Sequence, residues 1–258
     1  MWVQVGGRFF SIKKVCVFIS FFFFFMHFSC SKDGEGNVYR IAMETSWNEL
    51  NLGNKEKNVI AFSRELLQEI ARDQGIGVEI VNVSPETGFM DLRGGRYEAM
   101  VSALSPDLFI KEEYKLSEPF ILCGPLLLLR SDSLMDSLED MDAKLLGVDF
   151  GSSIVYNVEM SPNILIRYYH NISLAIKDLL DHGVDGVIIE GLEAYEFVEV
   201  LYKDRIKIIK PPLSDKGLRL VVYGSYSKNL IKYFDNGLKS LKGRGDYHKL
   251  LRKWGIPQ

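Results

Sequence analysis

Short apolar runs and longer amphipathic stretches alternate along this chain, and that alternation constrains its fold more than any other feature. Runs typical of strands occur at 38–42, 78–83, 99–104, 126–130, 144–150, 186–190, 206–209 and 218–223. Helix-type spacing separates many of them, at 59–73, 89–92, after 153, and at 174–180, 194–201, 227–241 and 247–254. Strands that alternate with helices predict an α/β fold with largely parallel sheets.

Sheets of this kind bind ligands outside the carboxyl ends of their strands. We therefore expect any chemistry in the loops that follow Ala42, Leu104, Phe150 and Ile189. The segment 44–57 is polar and irregular, which predicts a loop beside the first of these strand ends.

The N-terminus has the pattern of an export signal. A short basic stretch precedes an apolar, Phe-rich run at 15–28, and Ser29 and Cys30 follow it. As a helix this run would cover roughly 21 Å, which is less than the ~30 Å hydrocarbon layer of a bilayer. The run is therefore better suited to passing through a translocon than to anchoring the chain as a membrane span.

We predict that 1–29 is a lipoprotein signal, that Cys30 is acylated, and that 30–37 is a polar tether to the folded part. The protein would then be exported and held at the periplasmic or cell-surface face of a membrane. His27 stands where lipoprotein signals usually carry Leu. A non-lipidated signal cut nearby and an uncleaved anchor therefore remain alternatives.

The charge and the cysteines exclude several classes of function. Removal of 1–29 takes away three basic residues and no acidic one, so the net charge of −3 becomes −6. An acidic chain argues against nucleic acid as a partner. Cys16 leaves with the signal and Cys30 would be acylated, so Cys123 has no disulfide partner and is expected to be buried. The four scattered histidines indicate no metal site, and no cofactor is expected.

Seven segments, in order, resemble motifs of one family. They are 40–47, 60–66, 95–105, 116–120, 146–153, 183–190 and 245–254. Taken together they resemble the bacterial extracellular solute-binding proteins of family three, which are the polar amino-acid receptors of ABC importers. The resemblance covers residues 38–256.

The resemblance implies a two-lobe periplasmic-binding-protein-like α/β fold of type II, in which the lobes close on a small solute. One lobe would comprise 38–126 with 217–258, and the other 127–216. Two crossing strands would join them, and hinges of this kind absorb backbone rotation in a few residues. The implied partner is an ABC permease in the inner membrane, and no catalytic residue is implied.

The resemblance also implies a set of ligand contacts. Ser152 and Ser153 would begin a helix and bind an α-carboxylate, because free N–H groups at a helix start attract anions. Glu190 would bind the α-ammonium, and Glu44 a cationic side chain. The alternatives are helix capping for the two serines and Glu190, and a solvated loop position for Glu44.

Further contacts are implied along the first lobe. Trp47 would form an aromatic wall against the ligand, with core packing as its alternative. Ala103 and Ser105 would offer backbone groups and one hydroxyl. Ile110 stands where the family carries a carboxylate-binding Arg, and the neighbouring Lys111 would reach the site only if the loop were rebuilt.

The loss of that guanidinium leaves two carboxylates and one helix start. Because an unpaired buried charge costs several kcal/mol, the charges of site and ligand should match. We therefore predict a basic amino acid or another amine-rich solute, such as a short peptide or polyamine. Two other functions stay open, namely a sensor or surface protein with a degraded site, and an enzyme similar to cyclohexadienyl dehydratases that uses Glu44 and Glu190 as acid and base.

Overall fold

The computed structural model describes residues 2–5, 8–11, 38–44, 58–106, 108–150, 152, 163–224 and 227–256. The chain divides into two units, Met1–Gly36 and Asn37–Gln258. In the first unit, strands β1 (Trp2–Val5) and β2 (Arg8–Ser11) pair antiparallel. The apolar run 15–28 and Cys30 lie outside the described residues.

The second unit contains the remaining strands and the helices of the described chain. Its strands are β3 (Val38–Glu44), β4 (Gly77–Val83), β5 (Ala99–Leu104), β6 (Tyr114–Leu116), β7 (Ile121–Leu122), β8 (Leu126–Arg130), β9 (Leu145–Asp149), β10 (Leu165–Tyr169), β11 (Gly186–Ile189), β12 (Ile206–Ile209) and β13 (Gly217–Tyr223). Its α-helices are α1 (Asn58–Gln74), α2 (Pro85–Arg93), α3 (Leu108–Glu113), α4 (Ile172–Leu180), α5 (Gly191–Glu196), α6 (Lys228–Arg244) and α7 (Asp246–Trp254). A 3₁₀ turn (Glu139–Met141) and a π-helical turn (Phe197–Leu201) complete the described elements.

These elements form two lobes, each built on its own sheet. The sheet of the first lobe has the order β4-β3-β5-β13-β6, and β7 pairs with β13. The sheet of the second lobe has the order β10-β9-β11-β8-β12. The predicted two-lobe α/β fold is therefore confirmed.

Apolar clusters cover both faces of each sheet. On one face of the first sheet, α1 buries Phe62, Leu66 and Ile70, which recur at the four-residue spacing of one helix face, and it packs against α6 and α7. On the second sheet, α4 buries Ala175, Ile176 and Leu179 over strands β8 and β11. Each lobe thus has its own core, which positions the strand ends that carry the candidate site.

The chain crosses between the lobes twice, from β7 to β8 and from β12 to β13. The two crossings lie against each other, because Leu213 N–H donates to the Pro125 carbonyl at 2.7 Å and Cys123 N–H to the Lys216 carbonyl at 3.0 Å. A Cβ added at Gly124 would lie 2.6 Å from the Ser214 carbonyl oxygen, so this close approach requires a glycine.

Most predicted strands and helices are confirmed within a few residues, but two expectations need correction. The sheets are mixed rather than largely parallel, because β8 and β13 enter from the crossings and run antiparallel to their neighbours. Glu44 is the last residue of β3 and is not part of a loop. The sequence also gave no indication of β10, which is an edge strand with mostly exposed or half-exposed side chains. The predicted helix after 153 lies outside the described residues.

Candidate functional site

A small cavity forms where parallel strands β9 and β11 of the second lobe end. Its volume is about 180 Å³, and Asp149, Ser152, Glu190 and Glu193 provide its polar lining. Two of the predicted contacts, Ser152 and Glu190, therefore lie at one cavity. Ser152 N–H donates to the Asp149 carbonyl at 3.0 Å. Ser153 lies outside the described residues.

The carboxylate of Glu190 forms an ion pair with a lysine ammonium group. Glu190 follows β11 directly and occupies the N-cap position of α5, but its side chain makes no capping hydrogen bond. Instead, Lys216 Nζ donates to Glu190 Oε2 at 2.9 Å. The side chains of Lys216 and Glu190 are 30% and 34% exposed, so solvent reaches this ion pair.

Lys216 links Glu190 to the strand ends of the first lobe. The residue after it, Gly217, pairs with Leu104 at the carboxyl end of β5. The predicted contacts Ala103 and Ser105 flank Leu104, and both are partly accessible. The second crossing therefore brings the Glu190 carboxylate and the end of β5 to the same region of the molecule.

Glu44 lies at the end of β3, next to β5. Ser102 Oγ donates to Glu44 Oε1 in a long hydrogen bond of 3.4 Å. Burial raises the pKa of Tyr97 to about 12, and the negative charges of Asp91 and Glu44 add to this effect. Glu44 is thus an anionic group held at the sheet edge where the sequence predicts ligand contacts. Trp47 lies outside the described residues.

Arg219 is a buried cation that the sequence analysis missed. It lies directly opposite Ser102 in the β13–β5 pairing and is 7% exposed. Its guanidinium donates to the Ser117 carbonyl at 3.0 Å and to the Asp215 carbonyl at 2.7 Å. Its Nε has no hydrogen-bond partner among the described residues. Arg219 thus ties the first lobe to the second crossing, where Asp215 lies.

Ile110, which stands where the resembled family carries a carboxylate-binding Arg, lies in helix α3. Ile110 packs against an apolar cluster that includes Ala42, Met100 and Tyr114, and it is partly buried. The neighbouring Lys111 is exposed. Among the described residues, Lys216 and Arg219 are two cations near the candidate site, and a charge count without Lys216 is incomplete.

Lys216 and Arg219 had weak signals in the sequence. Arg219 interrupts the apolar strand 217–223, and a charged residue within a buried strand needs a specific partner. Lys216 precedes that strand at the predicted crossing. Because both partners are distant in sequence, periodicity alone does not reveal them.

Three further properties of the described residues concern metal binding, the cysteine and membrane spans. No group of three or more His, Cys, Asp or Glu side chains in the described part of the chain is arranged to hold a metal ion. Cys123 is buried and makes no disulfide, and burial raises the pKa of its thiol to about 11. None of the helices in the described ranges has the length and apolar character that a bilayer span requires.

Comparison with known proteins finds relatives over most of the chain. The chain is 22% identical over 230 residues to the arginine-binding extracellular protein ArtP of Bacillus subtilis, covering 88% of this chain and 90% of the relative. It is 19% identical over 203 residues to a probable histidine-binding protein of Campylobacter jejuni, covering 78% of this chain and 79% of the relative.

Solved structures share the fold at low sequence identity. The unliganded open L-cystine solute receptor of Neisseria gonorrhoeae matches with a TM-score of 0.70 at 15% identity, covering 86% of this chain and 94% of that one. A second substrate-binding domain of a putative amino acid ABC transporter from Streptococcus pneumoniae matches with a TM-score of 0.65 at 21% identity, covering 84% of this chain and 99% of that one. The family model of bacterial extracellular solute-binding proteins, family 3, matches residues 39–257. The chain therefore belongs to the bacterial extracellular solute-binding proteins of family 3.

Proposed function

We propose that this chain is the extracytoplasmic receptor of an ABC importer and captures an amino acid or a related amine-bearing solute between its lobes. The family match over residues 39–257 and the two-lobe fold support this proposal. The receptor would hand its solute to a membrane permease. The family is one of solute-binding proteins, so no catalytic step is proposed.

The ion pair between Lys216 and Glu190 is the observation that carries the proposal. A carboxylate that accepts an ammonium at 2.9 Å supports Glu190 as the group that would bind a ligand's α-ammonium. In the liganded receptor the solute ammonium would replace Lys216 at Glu190. The Ser152 hydroxyl, which lines the same cavity, would bind the α-carboxylate.

The charges around the candidate site favour a solute with a cationic side chain. Glu44 at the end of β3 and Asp149, Glu190 and Glu193 at the small cavity are four carboxylates near the strand ends. Against them stand Lys216, which pairs with Glu190, and Arg219, which is 7% exposed and bonded to two carbonyls. Relatives named for binding arginine, histidine and glutamine support an amino-acid ligand. We therefore propose a basic amino acid as the preferred solute.

The proposal extends to regions that the structure does not test. We propose the signal at 1–29, acylation of Cys30, and lobes formed by 38–126 with 217–258 and by 127–216. The apolar run before Cys30 supports export and anchoring. Metabolic labelling with a radioactive fatty acid tests the anchor, and a Cys30→Ser variant should lose the label.

Thermal unfolding of the purified full-length chain against a panel of amino acids and polyamines tests the receptor function. A solute present at 100 times its dissociation constant stabilises the folded state by about 2.7 kcal/mol, which gives a clear rise of the midpoint. We expect this rise with a basic amino acid and none with its N-acetylated form. A panel that leaves the midpoint unchanged contradicts the proposed function.

A further inference from the structure

A second, larger cavity opens between the lobes beside the crossings. Its volume is about 720 Å³, which falls within the range of about 300–1,000 Å³ that small-molecule sites occupy. It shares no lining residue with the 180 Å³ cavity at Glu190. The first-lobe helices α6 and α7 form one side, and α5 of the second lobe forms another.

The floor of this cavity is apolar. Leu192 of α5 and Leu251 of α7 are buried beneath it, and Leu122 at the end of β7 is 46% exposed. The exposed part of this apolar lining, mainly Leu122, favours a ligand with an apolar body, because its burial removes apolar area from water.

Two lysines place positive charge at the same cavity. Lys210 Nζ lies 5.4 Å from the centre of the Tyr195 ring, and Lys242 Nζ lies 5.1 Å from the centre of the Tyr247 ring. Both rings and both lysines line the cavity. Because each ammonium rests over the face of a ring, the lysines are positioned without being buried.

Among the described lining residues, the other side chains that can carry a charge near neutral pH are Glu118 and His248. Glu118 is exposed, and its single negative charge is outnumbered by the two ammonium groups. The lining therefore carries a net positive charge around an apolar floor. This combination complements a small molecule that has an apolar body and one anionic group.

The cavity also adjoins the candidate solute site through shared elements. Helix α5 supplies Leu192 and Tyr195 to this cavity, and Glu193 to the cavity at Glu190. Pro211 and Pro212 line it on the same crossing that carries Lys216. A molecule bound here would contact both lobes and the second crossing.

We propose that this cavity is a second binding site, which takes a small amphipathic organic anion. Its apolar body lies on Leu122, Leu192 and Leu251, and its anionic group lies between Lys210 and Lys242. This site is independent of the solute that the receptor carries, so its test does not depend on the proposed function.

Fluorescence titration of the full-length chain with anilinonaphthalene sulfonate tests this site, since the probe has an aromatic body and one sulfonate. We expect saturable binding that weakens about tenfold when Lys210→Met and Lys242→Met are combined, as two partly exposed ion pairs contribute about 1.4 kcal/mol together. A matched double variant, Lys232→Met with Lys239→Met, removes two exposed lysines of α6 outside the cavity and should leave the affinity unchanged.

Two further measurements separate this site from nonspecific adsorption of the probe. The Leu122→Asp variant should reduce binding because a carboxylate replaces part of the apolar floor and repels the sulfonate, and circular dichroism checks that each variant is folded. Uncharged anilinonaphthalene should bind at least about tenfold more weakly than the sulfonate, for the same electrostatic reason. Equal affinity of the two probes, or equal affinity of the two double variants, overturns the proposal.

Discussion

Replacing Lys216 with Met should raise the affinity of the receptor for its solute. Lys216 Nζ lies 2.9 Å from Glu190 Oε2 and would compete with the ligand ammonium for that carboxylate. Two unit charges at this distance attract each other by about 1.4 kcal/mol in a medium as polar as water. Solvent screening and side-chain entropy reduce the net value to about 1 kcal/mol or less, so removing the competitor should tighten binding up to about fivefold.

Isothermal titration calorimetry of the full-length chain measures this change. The tightest solute of the unfolding panel is titrated into the wild type, the Lys216→Met variant and a Lys203→Met control, which removes an exposed lysine elsewhere in the second lobe. The gain should appear only in Lys216→Met. A weaker affinity in that variant would mean that Lys216 contacts the ligand directly, and it would refute the competition argument.

Two other predictions concern buried groups. Arg219→Ala removes charge-assisted hydrogen bonds to the Ser117 and Asp215 carbonyls. In urea denaturation this variant should lower the free energy of unfolding by about 3 kcal/mol. The control Arg252→Ala, on the surface of α7, should change the free energy of unfolding by less than about 0.5 kcal/mol. Because burial raises the pKa of the Cys123 thiol from 9.0 to about 11, iodoacetamide at pH 8 should alkylate this cysteine slowly in the native chain and rapidly in urea, as followed by peptide mapping. The folded state keeps a proton that the unfolded state loses between those pH values, so this thiol should lower the free energy of unfolding as pH rises from about 9 to 11. Rapid native alkylation of Cys123, or an unchanged unfolding energy in Arg219→Ala, would contradict the burial argument.

The sequence predicts the elements whose signals are local. The apolar runs that become β8 and β11 are continuous, and the spacing of Phe62, Leu66 and Ile70 marks the buried face of α1. Edge strand β10 is not predicted because its side chains are mostly exposed or half-exposed. Strand β7 is not predicted because it has only two residues. Strand direction also escapes, since it depends on where the chain crosses between lobes.

The candidate site, too, could be predicted only where its signals are local in sequence. The position of Glu190 after β11 follows from the order of motifs along the chain. Its pairing with Lys216, 26 residues away, depends on how the second crossing passes the end of β11. Arg219 similarly donates a hydrogen bond to the carbonyl of Ser117, which lies 102 positions away in sequence. Long-range pairs of this kind add cations that a charge argument based only on the two predicted carboxylates leaves out.

The central claim is that Glu190 binds the amine of a captured solute, and calorimetry of the Glu190→Gln variant tests it most directly. The wild type should bind one basic amino acid per chain. Loss of one member of a hydrogen-bonded charge pair costs about 2 kcal/mol or more, so Glu190→Gln should weaken binding at least about 30-fold. The Glu139→Gln control, at an exposed position of the second lobe, should bind as the wild type does. Equal affinity of the Glu190→Gln variant and the wild type would contradict the account.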